Sequence, residues 1–138
     1  MYFASTHARL RRAFRRAGTD ERGFETAEVA LTIPFLLVLI LGIIQGGLWY
    51  HGTNLTQAAA SNAYEAARLH NATSADGINA GTATADQVGS MLTNVTVTVT
   101  RGPNEVTATV TATTPGLLPG VNTTVTKTVT GPTERWVP

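Results

Sequence analysis

The feature that most constrains this chain is a run of 36 residues, 29–64, that contains no Lys, Arg, Asp or Glu. It opens with 22 largely apolar residues, VALTIPFLLVLILGIIQGGLWY, at positions 29–50. As a helix this segment spans roughly 33 Å, and the hydrocarbon core of a bilayer is about 30 Å thick. Soluble domains of this size rarely leave so long a stretch uncharged. The run therefore predicts one transmembrane helix and argues against a soluble monomeric enzyme.

Charge is distributed unevenly around this run. The first 22 residues hold six arginines against Asp20 and Glu21, a local charge of +4 in a chain of net charge +1. Because positive residues stay on the cytoplasmic side of a membrane, we expect the N-terminal segment in the cytoplasm and the rest outside. Trp49 and Tyr50 stand where interfacial aromatic residues would end the span. The six arginines are Arg9, Arg11, Arg12, Arg15, Arg16 and Arg22.

The sequence contains no motif typical of a catalytic, metal-binding or nucleotide-binding site. It has no cysteine, which excludes disulfides and thiol nucleophiles. Its three histidines are far apart, and it contains no H-E-x-x-H motif, acidic calcium loop, nucleophile elbow or P-loop. We therefore expect no enzyme activity, cofactor or metal. Topology explains the arginine cluster, so no nucleic-acid partner is expected either.

Two residues at the start of the apolar run are unusual there. Pro34 lacks an N–H and clashes with the preceding turn, so it predicts a kink or a weak point near Ala30. Neighbouring groups can satisfy the freed carbonyl within a membrane. Glu28 directly precedes the run, at a position where the positive end of the helix dipole favours a carboxylate.

Helical character continues beyond the apolar run. Alanine, the best helix former, is frequent between residues 53 and 70. We expect one long helix from about 25 to 70, softened at Gly46–Gly47 or at Gly52. The 3/4 spacing predicts that one face packs on the chain's own C-terminal part or, alternatively, on another helix. That face consists of Leu55, Ala59, Asn62, Ala66 and Leu69.

The next segment is small and polar, which predicts a loop over residues 71–83. Thr84 and Gln87 form a weak capping box, so a short helix is expected at about 85–92.

Three later runs change to a period of two. Valine alternates with threonine over 95–100, valine and alanine alternate with threonine over 106–113, and a third run covers 123–130. Turn residues separate the runs, which is the pattern of antiparallel strands. We expect the valine and alanine face to pack under the helix and the threonine face to be exposed; an adhesive or self-pairing strand edge is the alternative. The expected fold is α+β: a membrane-anchored long helix packed on a small sheet of about three strands.

The boundary sequence RGFETAEVALTIPFLLVLILGIIQ, at 22–45, resembles the TadE-like family of the Flp (tight-adherence) pilus system. The resemblance covers about residues 15–70, with Ala27 where valine is usual and Gln45 where an acid is common. It rests on Gly23, Glu28, Ala30, Pro34, the Leu/Ile block and Gly42-Ile43-Ile44-Gln45.

The resemblance implies that the chain is processed and assembled as pilins are. A prepilin peptidase would cleave between Gly23 and Phe24, and the new amine of Phe24 would pair with the carboxylate of Glu28 in its own or a neighbouring subunit. The implied partners are membrane lipid, the prepilin peptidase, and other pilin-like subunits or TadE-like paralogues. The implied location is the cytoplasmic membrane of a bacterium.

The expected organisation has six segments. They are a cytoplasmic basic leader (1–23), a transmembrane helix (24–52), its extracytoplasmic continuation (53–70), a loop with a short helix (71–92), a Thr/Val-rich sheet (93–131) and a tail (132–138). Two alternatives stay open. The chain could be a bitopic envelope protein unrelated to pili, or a secreted domain released by cleavage of a signal peptide after the apolar run.

Overall fold

The computed structural model describes residues 21–117 and 120–135, and the side chains of these residues from 28 onward. It divides into two compact units, Met1–Gly42 and Ile43–Pro138; the second is called the lobe below. The elements are helix α1 (Glu21–Arg68), helix α2 (Ser74–Gln87), a 3₁₀ turn (Gly89–Met91), and strands β1 (Thr93–Arg101), β2 (Glu105–Thr114) and β3 (Thr123–Pro132).

The described part of the first unit is helical up to Gly42. Its large apolar side chains are in contact with solvent: Leu31 is 76 % exposed and Phe35 is 69 % exposed. Within the described residues, one helix is long and apolar enough to cross a membrane, and none of its most apolar window is buried. Such a surface is stable only when lipid or another protein covers it.

The sheet of the lobe is antiparallel, in the order β1-β2-β3. Strand β2 lies in the middle, and its alternate residues Val106, Ala108, Val110 and Ala112 are fully buried. Side chains alternate between the two faces of a strand, so the threonines between these residues lie on the opposite face. The valine and threonine periodicity thus predicted both the strands and their orientation correctly.

The second half of α1 covers the apolar face of this sheet. One core cluster joins Ala63, Tyr64 and Ala67 of the helix to valines and an alanine of β1 and β2, and a second cluster joins Ala59 and Ala60 to Val110. The long helix packed on a three-stranded antiparallel sheet confirms the expected α+β fold.

Helix α2 packs against α1 through residues without side chains. A Cβ built on Gly77 would lie 2.6 Å from the carbonyl oxygen of Ala63, and one built on Gly81 would lie 2.9 Å from the Ala63 Cβ. Both glycines are therefore needed for the closeness of the two helices. Ala85, one turn further along α2, is also buried.

A single helix assignment from Glu21 to Arg68 confirms the expected long helix; it continues through Gly46, Gly47 and Gly52, and a soft break there stays a prediction. Two other expectations about the helices were wrong. The segment predicted as a loop forms α2 instead, and α2 ends at Gln87 where the short helix was expected to begin.

The second error concerns the buried face of α1. Of the five residues predicted to form it, only Ala59 is buried, whereas Asn62 and Leu69 are exposed. The face that packs consists of the smallest side chains and Tyr64, because only these allow the helix backbone to approach the sheet and α2 closely. It is formed by Thr56, Ala59, Ala60, Ala63, Tyr64 and Ala67.

Polar contacts hold the C-terminal end of α1 to the sheet. The guanidinium of Arg101 donates to the carbonyls of Ala67 and Leu69, the latter at 2.9 Å. These are groups that a helix end leaves without intrahelical partners, and a cation is favourable beside them. The N–H of Glu134 donates to the Arg68 carbonyl at 2.9 Å, so the residues after β3 close on the same helix end.

Candidate functional site

The sequence-predicted site residues fall partly outside the described residues. Five of the arginines, from Arg9 to Arg16, precede residue 21. Arg22, Gly23 and Phe24 lie in α1 next to its first described residue, and their side chains are not described. The cleavage, topology and charge-pair assignments therefore stay predictions.

Glu28 and Pro34 lie within the described helix. The Glu28 side chain is exposed at the start of the apolar segment. The helix assignment continues on both sides of Pro34, and a kink there stays a prediction.

A groove lies at the end of the lobe where α1 meets the loop that follows β2. Its volume is about 260 Å³, and its lining is mostly apolar. The Gln45 side-chain oxygen accepts a hydrogen bond of 2.8 Å from the N–H of Leu117, which ties the loop to the helix. The groove is lined by Leu48, His51, Gly52, Ser90, Met91 and Thr114 to Leu117.

A buried hydroxyl stands in the wall of this groove. Thr114 is 4 % exposed, and among the described residues its Oγ1 has no hydrogen-bond partner. It lies against the backbone of Gly52, where an added Cβ would come within 2.6 Å of its methyl group. Thr56 is equally buried, but its hydroxyl donates to the Gly52 carbonyl at 2.8 Å. The two threonines are thus both buried, but only the hydroxyl of Thr56 makes a hydrogen bond among the described residues.

The outer face of the sheet carries a regular array of threonines. The strand register places three of them in line across the sheet, in three successive rows. Hydroxyl pairs join β2 to β3 in each row, at 3.1, 3.0 and 3.0 Å. The rows are Thr100–Thr107–Thr130, Thr98–Thr109–Thr128 and Thr96–Thr111–Thr126. Such cross-strand pairs stabilise a sheet; whether the face or its edge is adhesive stays a prediction.

An acidic cap begins α2. The Thr73 N–H donates to the Asp76 carboxylate at 2.7 Å, and the Asp76 N–H donates in return to the Thr73 hydroxyl at 3.3 Å. The backbone hydrogen bond, followed by that from the Thr73 hydroxyl, holds the pKa of Asp76 below its ordinary value. Sequence reasoning missed this capping box, although the spacing Thr-x-x-Asp was visible in the sequence.

Across residues 21–117 and 120–135, three or more His, Cys, Asp or Glu residues nowhere cluster in a way that could hold a metal ion. What the described surface offers is an uncovered apolar helix and a lobe whose groove lies beside the end of that apolar segment. These features fit a single-pass membrane anchor that carries a small α+β lobe.

A family match narrows this class. Residues 23–68 match the family model described as TadE-like protein, so this segment is TadE-like and the resemblance drawn from the boundary motif is confirmed. The match begins at Gly23 and ends with α1, and it points to a membrane protein associated with the Flp, or tight-adherence, pilus. Comparison with curated proteins and with solved structures gave no match.

Proposed function

We propose that this chain is a non-catalytic, single-pass membrane protein that acts in the assembly of a Flp-type pilus, or as a minor pseudopilin within it. The observation that carries the proposal is the uncovered apolar surface of α1, which coincides with the TadE-like segment. A helix with apolar groups all round is suited to lipid or to the core of a helical filament.

The proposed cycle begins with residues 1–22 in the cytoplasm. A prepilin peptidase then cuts between Gly23 and Phe24. This bond lies at the boundary between the arginine-rich segment and the apolar run. The family match begins at Gly23, directly before this bond, which supports the assignment.

After cleavage, the new amine at Phe24 would stand near Glu28. Phe24 and Glu28 are four positions apart, which places them on one side of a helix. Unpaired charges are disfavoured in lipid, and removing one partner of a buried pair costs about 3–5 kcal/mol. Subunits would therefore associate in the register that pairs amine with carboxylate. The partners in this proposal are the peptidase and other pilin-like or TadE-like subunits.

N-terminal sequencing of the membrane-extracted chain, expressed with and without an active prepilin peptidase, tests the proposal. We expect Phe24 at the N-terminus only with the peptidase. Gly23→Leu should leave the leader in place. Gly42→Leu is the matched control, because a side chain at Gly42 meets nothing within 4 Å, and it should be processed normally.

Two other N-termini would contradict the pilin-like cycle. An intact Met1 or Tyr2 in cells with active peptidase would favour a bitopic envelope protein, and a start near Ser61 would indicate a secreted domain. Orientation is tested separately by adding protease to spheroplasts, which should digest the lobe and spare the arginine-rich segment. The reverse pattern would refute the topology.

A further inference from the structure

The loop between β2 and β3 reaches α1 inside its apolar segment. The hydrogen bond between Leu117 and Gln45 fixes the height of this loop along the helix. Gln45 precedes Tyr50, the end of the apolar run, by five residues, which corresponds to roughly 7–8 Å along the helix axis. If Tyr50 marks the outer edge of the span, Leu117 lies below that edge.

The residues around this loop have the composition of a membrane contact. The sequence from Val106 to Thr126 contains no charged residue. Leu117 is 48 % exposed, and Met91, across the groove from it, is also 48 % exposed. Val121 and Trp49 are exposed as well. The lobe therefore leaves several large apolar side chains uncovered at the end where its helix enters the apolar segment.

The described part of the loop also packs closely at Gly116. Gly116 has no room for a side chain, since a Cβ there would collide with the Val121 carbonyl and lie 3.2 Å from the Gln45 amide nitrogen. The close approach of the loop to the helix thus depends on this glycine. As long as the helix stays in the membrane, this contact keeps Leu117 near the level of Gln45.

We propose that Leu117 and Val121 of this loop, together with Met91 and Trp49, form a second membrane contact, seated in the lipid headgroups of the outer leaflet. The proposal rests on the membrane anchor of the proposed function. Its partner is lipid, because Leu117 is bonded to Gln45 within the apolar run, and apolar groups of interfacial segments enter the headgroup and acyl boundary by about 5–10 Å. The loop would fix the distance of the lobe from the bilayer and its rotation about the helix.

Depth-dependent quenching tests this contact. The chain has no cysteine, so Leu117→Cys can be labelled with an environment-sensitive fluorophore in the full chain. The labelled protein is reconstituted in phosphatidylethanolamine–phosphatidylglycerol vesicles that carry nitroxide lipids. Asn104→Cys, in the exposed turn between β1 and β2, is the control for the opposite end of the lobe, and Val38→Cys reports on the anchor.

We expect the probe at residue 117 to lose most of its fluorescence to nitroxides near the headgroups, and that at residue 38 to deep nitroxides. The probe at residue 104 should keep its fluorescence in both cases. Met91→Cys supplies a second position in case labelling at 117 disturbs the loop, and it should behave as residue 117 does.

The outcomes separate this inference from the anchor proposal. If residue 38 is quenched while residues 117 and 91 resemble residue 104, the anchor holds and the second contact is refuted. If neither nitroxide lipid nor aqueous iodide quenches the probe at residue 117, protein covers the loop. A second copy of the chain then replaces lipid as its partner. If residue 38 itself escapes quenching, the anchor fails and this inference fails with it.

Discussion

The contact between α1 and α2 makes the sharpest stability prediction. In Gly77→Ala the new Cβ would lie 2.6 Å from the Ala63 carbonyl oxygen and 2.8 Å from the Ala67 Cβ. In Gly81→Ala it would lie 2.9 Å from the Ala63 Cβ. Such distances are too short for carbon contacts, so one helix must move away from the other or from the sheet.

The expected magnitude follows from two opposing effects. Replacing glycine by alanine inside a helix stabilises it by about 1 kcal/mol, whereas an added methyl group in a packed core costs about 1–3 kcal/mol. The net loss should be about 0–2 kcal/mol, with Gly77→Ala at the upper end because its main obstacle is backbone. Thr82→Ala is the control: residue 82 is exposed on the same helix, so it gains helix propensity without crowding.

Pulse proteolysis of the detergent-solubilised chain across a urea series would measure the free energy of unfolding of the lobe. The ranking expected from highest to lowest stability is Thr82→Ala, Gly81→Ala, Gly77→Ala. Equal or greater stability of both glycine variants relative to Thr82→Ala would refute the close contact between the helices.

Three further predictions use the same assay. Gly131→Ala should destabilise the lobe by about 1–3 kcal/mol, because its Cβ would collide with the Tyr64 hydroxyl; unchanged stability would contradict that packing. Thr114→Val should raise stability by about 1 kcal/mol, because it removes a buried hydroxyl that has no partner among the described residues, whereas Thr56→Val should lower stability by a similar amount. Equal effects of the two substitutions would refute this difference in hydrogen bonding. The lowered pKa of Asp76 means that its carboxylate stabilises the fold above the ordinary value of 3.8, and that this stabilisation is lost as the pH falls below it towards the folded-state pKa. Asp76→Asn should therefore flatten the acid dependence of stability; an unchanged slope would exclude the cap as its source.

The sequence alone was enough for features that depend on local periodicity. An uncharged apolar run of membrane length allows few structures other than a helix, because a backbone in lipid must satisfy its own hydrogen bonds. The alternation of β-branched residues likewise fixed which side of each strand is buried. The boundary motif consists of residues that are close together in the sequence, so it could be recognised without the structure, and the family comparison confirmed the TadE-like resemblance.

Tertiary structure decided the features that depend on close approach. Two of the six alanines between residues 58 and 67, Ala58 and Ala66, lie outside the buried face. Alanine alone therefore could not mark the face that packs, and the neighbouring sheet and α2 determined it. Gly77 and Gly81 indicated a loop by composition, yet their missing side chains are what lets α2 pack against α1 as a helix. The hydrogen bond between Gln45 and Leu117 joins residues 72 positions apart, and no local pattern can specify such a contact because it exists only once the sheet and helix have packed.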